Sequence, residues 1–263
     1  MLLGENFPAD WRRAILSGQL SMNLEERLKF AQAAFVCGGW RAPIFRDLVL
    51  EEVRSRKRSQ TLLDVGCGRG FDDSRSLQQS LIAEADSYIG VEPDVSIQVA
   101  AGIKPVHRTV LEDAPIEPES VDVAFAVMVV EHLEDPVFFF NKIHQVLKPG
   151  GVFWVFTMEL RHYFALASWL MESLSVKDAY LRAIRNGVEA HYDNYPTRYR
   201  CNTQSSIYRL TSRYSTATLS TLNRPGLHDH YVPKVFRPVL HLADSATIAL
   251  GLPGPLLLCR FVK

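Results

Sequence analysis

The sequence has no excess of charge. Twenty-nine lysine and arginine residues face 29 aspartate and glutamate residues, for a formal net charge of zero at pH 7. That balance gives no electrostatic footing for DNA, RNA or an anionic membrane as a general partner. A local basic cluster, Arg54, Arg56, Lys57 and Arg58, reads as a solvated helix end. Cysteine is scarce: Cys37, Cys67, Cys201 and Cys259 are dispersed without metal-ligand spacing, and read as reduced thiols of a cytoplasmic protein. The first residues lack a basic-then-apolar leader, with Pro8, Asp10 and Trp11 close to the start, so no secretory signal is expected. The most apolar stretch, Ala246 to Phe261, is broken by Gly251, Pro253, Gly254 and Pro255, and stable membrane insertion is not expected. Repeats and low-complexity segments are absent. What is present is a 263-residue chain, 47% apolar, able to bury one large α/β domain or a domain of ordinary size with a substantial insertion.

Two periodicities divide the chain. Over residues 1–59 the spacing is helical: Leu24, Leu28, Ala31 and Phe35 share a face, and Ile44, Leu48 and Val53 continue one after Pro43. This predicts an N-terminal helical cap at 1–59 ahead of a larger domain at 60–263. From residue 60 short apolar runs alternate with amphipathic segments. Thr61–Val65, Ser87–Val91, Val121–Val127 and Gly151–Thr157 are strand candidates, with a weaker one near Pro105–Arg108. Helical crossovers between them predict a Rossmann-like, doubly wound, mostly parallel sheet with helices on both faces. Asp135 and Pro136 suit a helix start, and Lys148 with Pro149-Gly150-Gly151 a helix end. Residues 159–201 interrupt the alternation and read as an inserted helical lid, starting at Tyr163 and running into a tyrosine-rich stretch. Asn202 or Thr203 would cap a helix through Leu210. Thr216–Leu222 and Leu256–Val262 would complete the sheet as an antiparallel pair.

The chemistry concentrates in Thr61-Leu-Leu-Asp-Val-Gly-Cys-Gly-Arg-Gly70, where a strand enters a glycine-rich turn that lets a ligand approach the backbone closely. A dinucleotide fingerprint would place its third glycine at position 71, which is Phe71. Asp64 would also repel a pyrophosphate. S-adenosylmethionine has no phosphate and presents an ammonium and a sulfonium, which suit a carboxylate there. Glu92, about twenty residues on at a strand end, is placed to accept hydrogen bonds from ribose hydroxyls.

Asp64-Val-Gly-Cys-Gly-Arg-Gly70, Gly90-Val-Glu-Pro93, Ser120-Val-Asp-Val123, Glu131-His-Leu-Glu-Asp-Pro136 and Leu147-Lys-Pro-Gly-Gly151 stand in the order and spacing of class I S-adenosylmethionine-dependent methyltransferases. The chain resembles most the group with the ubiquinone and menaquinone biosynthesis methyltransferases and many small-molecule enzymes. The resemblance is strong over about residues 60–158. It implies S-adenosylmethionine as cofactor and S-adenosylhomocysteine as product. It also implies that the methionine moiety lies near Asp64, Gly66, Cys67, Gly68 and Gly70, with the ribose on Glu92. The adenine is implied near Pro93, Val110 and Leu111, and the methionine end near Met128. Where many relatives place an aspartate toward the adenine amino group this sequence has Val110, with Glu112, Asp113 or a backbone carbonyl as the substitute.

The implied activity is metal-independent methyl transfer to a small-molecule acceptor, with a metabolite, sugar or quinone-like hydroxyl favoured. His132, following the fourth strand, is the candidate base for a hydroxyl acceptor, with an ordering role in its loop as the alternative. His162, Tyr163, His191, Tyr192 and Tyr195 are candidates to shape the acceptor pocket, or to serve structure. His228-Asp229-His230 lacks a third ligand and is not expected to hold a metal. Met128-Val-Val-Glu131 stands where base-directed amino-methyltransferases carry Asn/Asp-Pro-Pro-aromatic. Met158-Glu159 stands where magnesium-dependent catechol enzymes carry Asp-Asn. A cofactor-binding protein without transfer, or a nicotinamide-dependent oxidoreductase, is the alternative, and a homodimer is left open.

Overall fold

The computed structural model describes residues 22–56, 59–176, 179–180 and 197–263. Strands β1 (Thr61–Val65), β2 (Ser87–Val91) and β4 (Val121–Val127) occupy the expected runs, and the weak candidate is a two-residue β3, Val106–His107. β5 is longer than expected, Leu147–Met158, and β6 (Thr216–Leu222) and β7 (Leu256–Val262) complete the sheet. The seven strands lie in the order β3-β2-β1-β4-β5-β7-β6. β1 to β5 are parallel, and β7 runs antiparallel to both β5 and β6.

Alternate residues along each strand feed two cores, as the pleat requires. On one face Leu62, Val123, Phe125, Trp154 and Phe156 pack with Phe35 of α1 (Leu24–Val36), Phe45 and Leu48 of α2 (Arg41–Ser55) and Leu81 of α3 (Arg75–Ile82). On the other, Leu63, Val65, Ala124, Phe153 and Val155 pack with Phe139, Phe140 and Ile143 of α4 (Pro136–Val146) and Ile207 of α6 (Gln204–Leu210). Both faces are covered, which is the doubly wound arrangement expected. No helix among the described residues is long and apolar enough to cross a membrane.

Local signals explain several boundaries. α1 opens with a capping box, Asn23 accepting from Glu26 N at 3.0 Å and Glu26 from Asn23 N at 2.8 Å. Asp135 caps α4 by accepting from Phe138 N at 3.0 Å, with Pro136 in the first turn. Thr203 caps α6, while Asn202 turns inward to Thr157. The C-terminal end of α4 differs from the sequence reading. The helix stops at Val146, Leu147 already pairs with Val121, and pairing resumes at Val152 with Val123, so Lys148 to Gly151 bulge out. Lys148 therefore does not serve a helix terminus. Its Nζ lies 2.6 Å from the buried Asp122, which also accepts from Thr61 N. A buried carboxylate in reach is a stronger partner than a solvated helix end.

Of the expected lid, α5 (Tyr163–Ser173) and the closing residues 197–201 are described. His191, Tyr192 and Tyr195 lie outside the described residues, as do residues 1–21 of the expected N-terminal cap. Between β6 and β7 the chain makes an excursion the sequence reading did not assign, residues 223–255, including α7 (Arg237–Ala249).

Candidate active site

β1 lies between β2 and β4, and the chain leaves it toward one neighbour and returns on the other side. At such a switch point the loops at the carboxyl ends of the strands part and leave a crevice. The glycine turn opens there. Gly66, at φ +80°, and Cys67 both donate their N–H to Val91 O, at 2.8 and 3.2 Å, which ties the turn to the end of β2. Gly68 is required for a different reason: a Cβ there would strike the Glu92 carboxylate.

Asp64 sits beneath the turn, buried. Its Oδ2 accepts from Gln78 Nε2 at 2.8 Å and from Tyr88 hydroxyl at 2.7 Å, and Gln78 also donates to Cys67 O at 2.8 Å. Burial lifts the carboxyl to about 6, against the opposing pull of the Gln78 and Tyr88 hydrogen bonds. Gln78 and Tyr88 come from α3 and β2, and no local pattern marks them for this role.

Glu92 follows the last residue of β2, at the strand end as expected. Its Oε2 accepts from Gly68 N at 3.0 Å and its Oε1 from Asp94 N at 2.9 Å, so the carboxylate bridges the glycine turn and the loop after β2. Pro93 is exposed beside it. Val110 is 46% exposed, whereas the Leu111 side chain is buried in the core, so a ligand contact from Leu111 would come from its main chain.

β4 delivers the other half of the crevice. Met128 takes a left-handed φ of +55° and donates its N–H to Phe156 O at 2.7 Å, bending the chain off the strand. A 3₁₀ turn, Val130–His132, follows. His132 is half-buried, and its neighbour Glu131 is buried. Glu131 Oε2 accepts from Thr157 Oγ1 at 2.7 Å, and Thr157 Oγ1 accepts from Asn202 Nδ2 at 2.8 Å. Burial raises the Glu131 carboxyl above its ordinary range, while the His132 charge pulls it down. The Glu131 carbonyl accepts from Arg198 N at 2.7 Å and Tyr199 N at 3.0 Å, and Glu134 is paired to Arg198 and, through its carbonyl, to Arg200. The end of the insertion is thereby stitched to the turn that carries His132. Burial, reinforced by the Glu131 charge, pushes the Tyr199 phenol to about 12.

The N-terminal helices reach the same place. Arg41 of α2 makes a bidentate pair with Asp72, at 2.8 and 2.9 Å, just past the glycine turn, and its guanidinium also feels Glu131 and Tyr231. A partnership across 31 residues leaves no local trace in the sequence. His162 caps α5, with its ring 5.7 Å from that of His228. Tyr163 is hydrogen-bonded to Asp244, and Asp229 lies 2.8 Å from His241. A separate open groove of about 810 Å³, between α1, β6 and residues 248–252, is lined by none of these side chains.

A family model described as a methyltransferase domain matches residues 63–155, the stretch from β1 to β5 that holds the crevice. Over that stretch the chain is similar to methyltransferase domains. The chain is 32% identical over 152 residues to an uncharacterized methyltransferase of Mycobacterium ulcerans, covering 54% of this chain and 57% of that one. It is 32% identical over 105 residues to a ubiquinone biosynthesis O-methyltransferase of Ruegeria pomeroyi, covering 35% and 38%. The chain thus spans little more than half the length of the first of these relatives. Among solved structures, a SAM-dependent methyltransferase of Archaeoglobus fulgidus superposes with a TM-score of 0.55 at 11% identity, over 84% of this chain and 94% of that one. One from Thermotoga maritima does so with 0.52 at 16%, over 96% and 98%. At such identities these two establish the fold of the methyltransferase domain alone. The domain match, the relatives and the fold agree with the resemblance read from the sequence motifs.

Proposed function

We propose that this chain transfers a methyl group from S-adenosylmethionine to a small-molecule acceptor, with oxygen the favoured acceptor atom and without a metal. The observation that carries the reading is the pair of carboxylates at the glycine turn, Asp64 beneath it and Glu92 clamped to Gly68 N. A turn lined this way suits a ligand with an ammonium and ribose hydroxyls, and disfavours a pyrophosphate. The missing Cβ at Gly68 is what lets the Glu92 carboxylate close on the main chain of the turn. In this reading Asp64, Gly66, Cys67, Gly68, Gly70 and Met128 hold the methionine end, Glu92 the ribose, and Pro93, Val110 and the Leu111 main chain the adenine.

When bound, S-adenosylmethionine supplies a methyl group activated by its sulfonium. What remains for the chain is to align the acceptor in line with that group and to keep water out. His132 takes the proton from a hydroxyl acceptor, and the adjacent Glu131 carboxylate, fixed by Thr157, favours the imidazolium that results. The metal-independent reading rests on Met158-Glu159 at the end of β5. The Glu159 carboxylate there is already engaged by Arg161 at 3.0 Å and by Gln204 N at 3.0 Å.

The test is transfer from methyl-labelled S-adenosylmethionine to a panel of hydroxylated small molecules, with oligonucleotides and a protein mixture alongside. The reading predicts label in the small-molecule arm, unaffected by a chelator. Label in nucleic acid alone would overturn it.

A further inference from the structure

The excursion between β6 and β7 has no place in the sheet, yet it packs against the insertion after β5. Phe164, in the first turn of α5, stacks on His228 with ring centroids 3.6 Å apart and planes at 15°, and lies 5.4 Å from Tyr231. His162, one turn-start earlier, stands 5.7 Å from His228. Tyr231 in turn lies within the electrostatic reach of Arg41, which also feels Glu131. Four rings, contributed by two segments, therefore form one wall running from the end of β5 toward the turn that carries Glu131 and His132.

His162 has a feature that packing alone does not account for. It is 2% exposed, and its Nδ1 accepts from Phe164 N at 3.3 Å as the cap of α5. That bond uses the Nδ1 lone pair, so the neutral ring carries its proton on Nε2. Nε2 is buried and has no hydrogen-bond partner. Burial holds the ring neutral, pushing its pKa down to about 4 against the charges of Asp244 and Glu159. A buried donor without an acceptor is costly and recurs where a ligand completes the bond. The nearby carboxylates Asp244 and Glu159 would repel an anion, and a donor N–H does not bind a cation.

We infer that this wall is the acceptor-recognition surface of the proposed methyltransferase. His162 Nε2–H donates to an uncharged oxygen of a planar acceptor that lies against Phe164, His228 and Tyr231. The inference rests on the methyltransferase reading for its placement beside the transferred methyl group. It makes residues 223–255 part of the specificity apparatus, together with the insertion after β5. Because Nε2 is buried in the free protein, the side chains packed over it give way when the acceptor enters.

The experiment uses the full chain, uniformly ¹⁵N-labelled, with and without saturating S-adenosylhomocysteine, titrated with phenol and with benzene as probes. Long-range imidazole spectra should show His162 as the Nε2–H tautomer at pH 7. Phenol should move that nitrogen and bind at least about tenfold more tightly than benzene, the worth of one buried hydrogen bond. His162→Asn keeps an acceptor for Phe164 N, and its shorter amide takes the donor away from the Nε2 position. His162→Phe keeps the ring and removes the donor. In each the preference for phenol should vanish while S-adenosylhomocysteine affinity stays at the wild-type value. Equal binding of the two probes to wild type, binding of neither, or a preference that survives both substitutions would overturn the inference. Failure of S-adenosylhomocysteine to bind, with the phenol arm intact, would instead strike the methyltransferase reading.

Discussion

At the scale of single residues, Asp64 is where charge, burial and ligand chemistry meet. Its raised carboxyl, about 6 in the free protein, makes cofactor affinity depend on pH. An ammonium favours the ionised form, so affinity should be full above pH 6 and fall as the pH drops through it, by at most about tenfold per unit. Calorimetry with S-adenosylhomocysteine from pH 7.5 to 5 would show this slope in wild type and its loss in Asp64→Asn. The substitution itself should weaken binding by at least about 1.5 kcal/mol at pH 7.5. Unchanged affinity would refute the orientation given to the methionine end. On stability the sign is the other way. A folded value above the unfolded one means that the contribution of Asp64 is full below the ordinary carboxylate range and is lost as pH rises through about 6. His132→Ala should leave S-adenosylhomocysteine affinity near wild type and lower turnover on a hydroxyl acceptor. Turnover equal to wild type would reduce His132 to ordering its loop.

At the scale of elements, the ends of β4 and β5 are held together by a buried polar chain, Asn202 to Thr157 to Glu131. Thr157→Val keeps the shape and leaves a buried carboxylate without its donor. It should cost about 1–3 kcal/mol in urea unfolding, and an unchanged midpoint would contradict the network. None of this was legible beforehand. Glu131 entered the sequence reading only as part of a motif, and its partners come from the end of β5 and from Asn202, just past the insertion, which no local spacing connects. β1 and β2 were legible because mostly apolar runs of five residues end at Gly66 and Glu92, and β4 because its seven residues are apolar but for Asp122. α7 was missed for a related reason. Its buried residues are Asp244 and Thr247 while Val239, Leu242 and Ile248 remain exposed, so its apolar pattern does not mark a core-facing side. The junction of α4 and β5 misled because Lys148, Pro149 and Gly150 read as a helix stop, whereas the buried Asp122 draws Lys148 into a bulge.

At the scale of the molecule, α1 and α2, ahead of β1, share a core with the sheet. Phe45 is fully buried and stacks on Phe156 at 4.4 Å. Phe45→Ala should therefore destabilise the chain by about 3–5 kcal/mol, with fluorescence and circular dichroism moving in one transition. Separate transitions would make residues 1–59 a unit of their own. The doubly wound sheet, the glycine turn and Glu92 were readable in the sequence because they are built from contiguous residues. The clamp of Glu92 on Gly68, the Arg41–Asp72 pair and the ring wall exist only once distant segments meet. The central claim is that the carboxylate-lined turn takes S-adenosylmethionine and no nicotinamide dinucleotide. Calorimetric titration of the purified chain with S-adenosylhomocysteine, with NADH as control, tests it most directly. Micromolar binding of S-adenosylhomocysteine alone is the predicted result, and binding of NADH, or of neither, would contradict it.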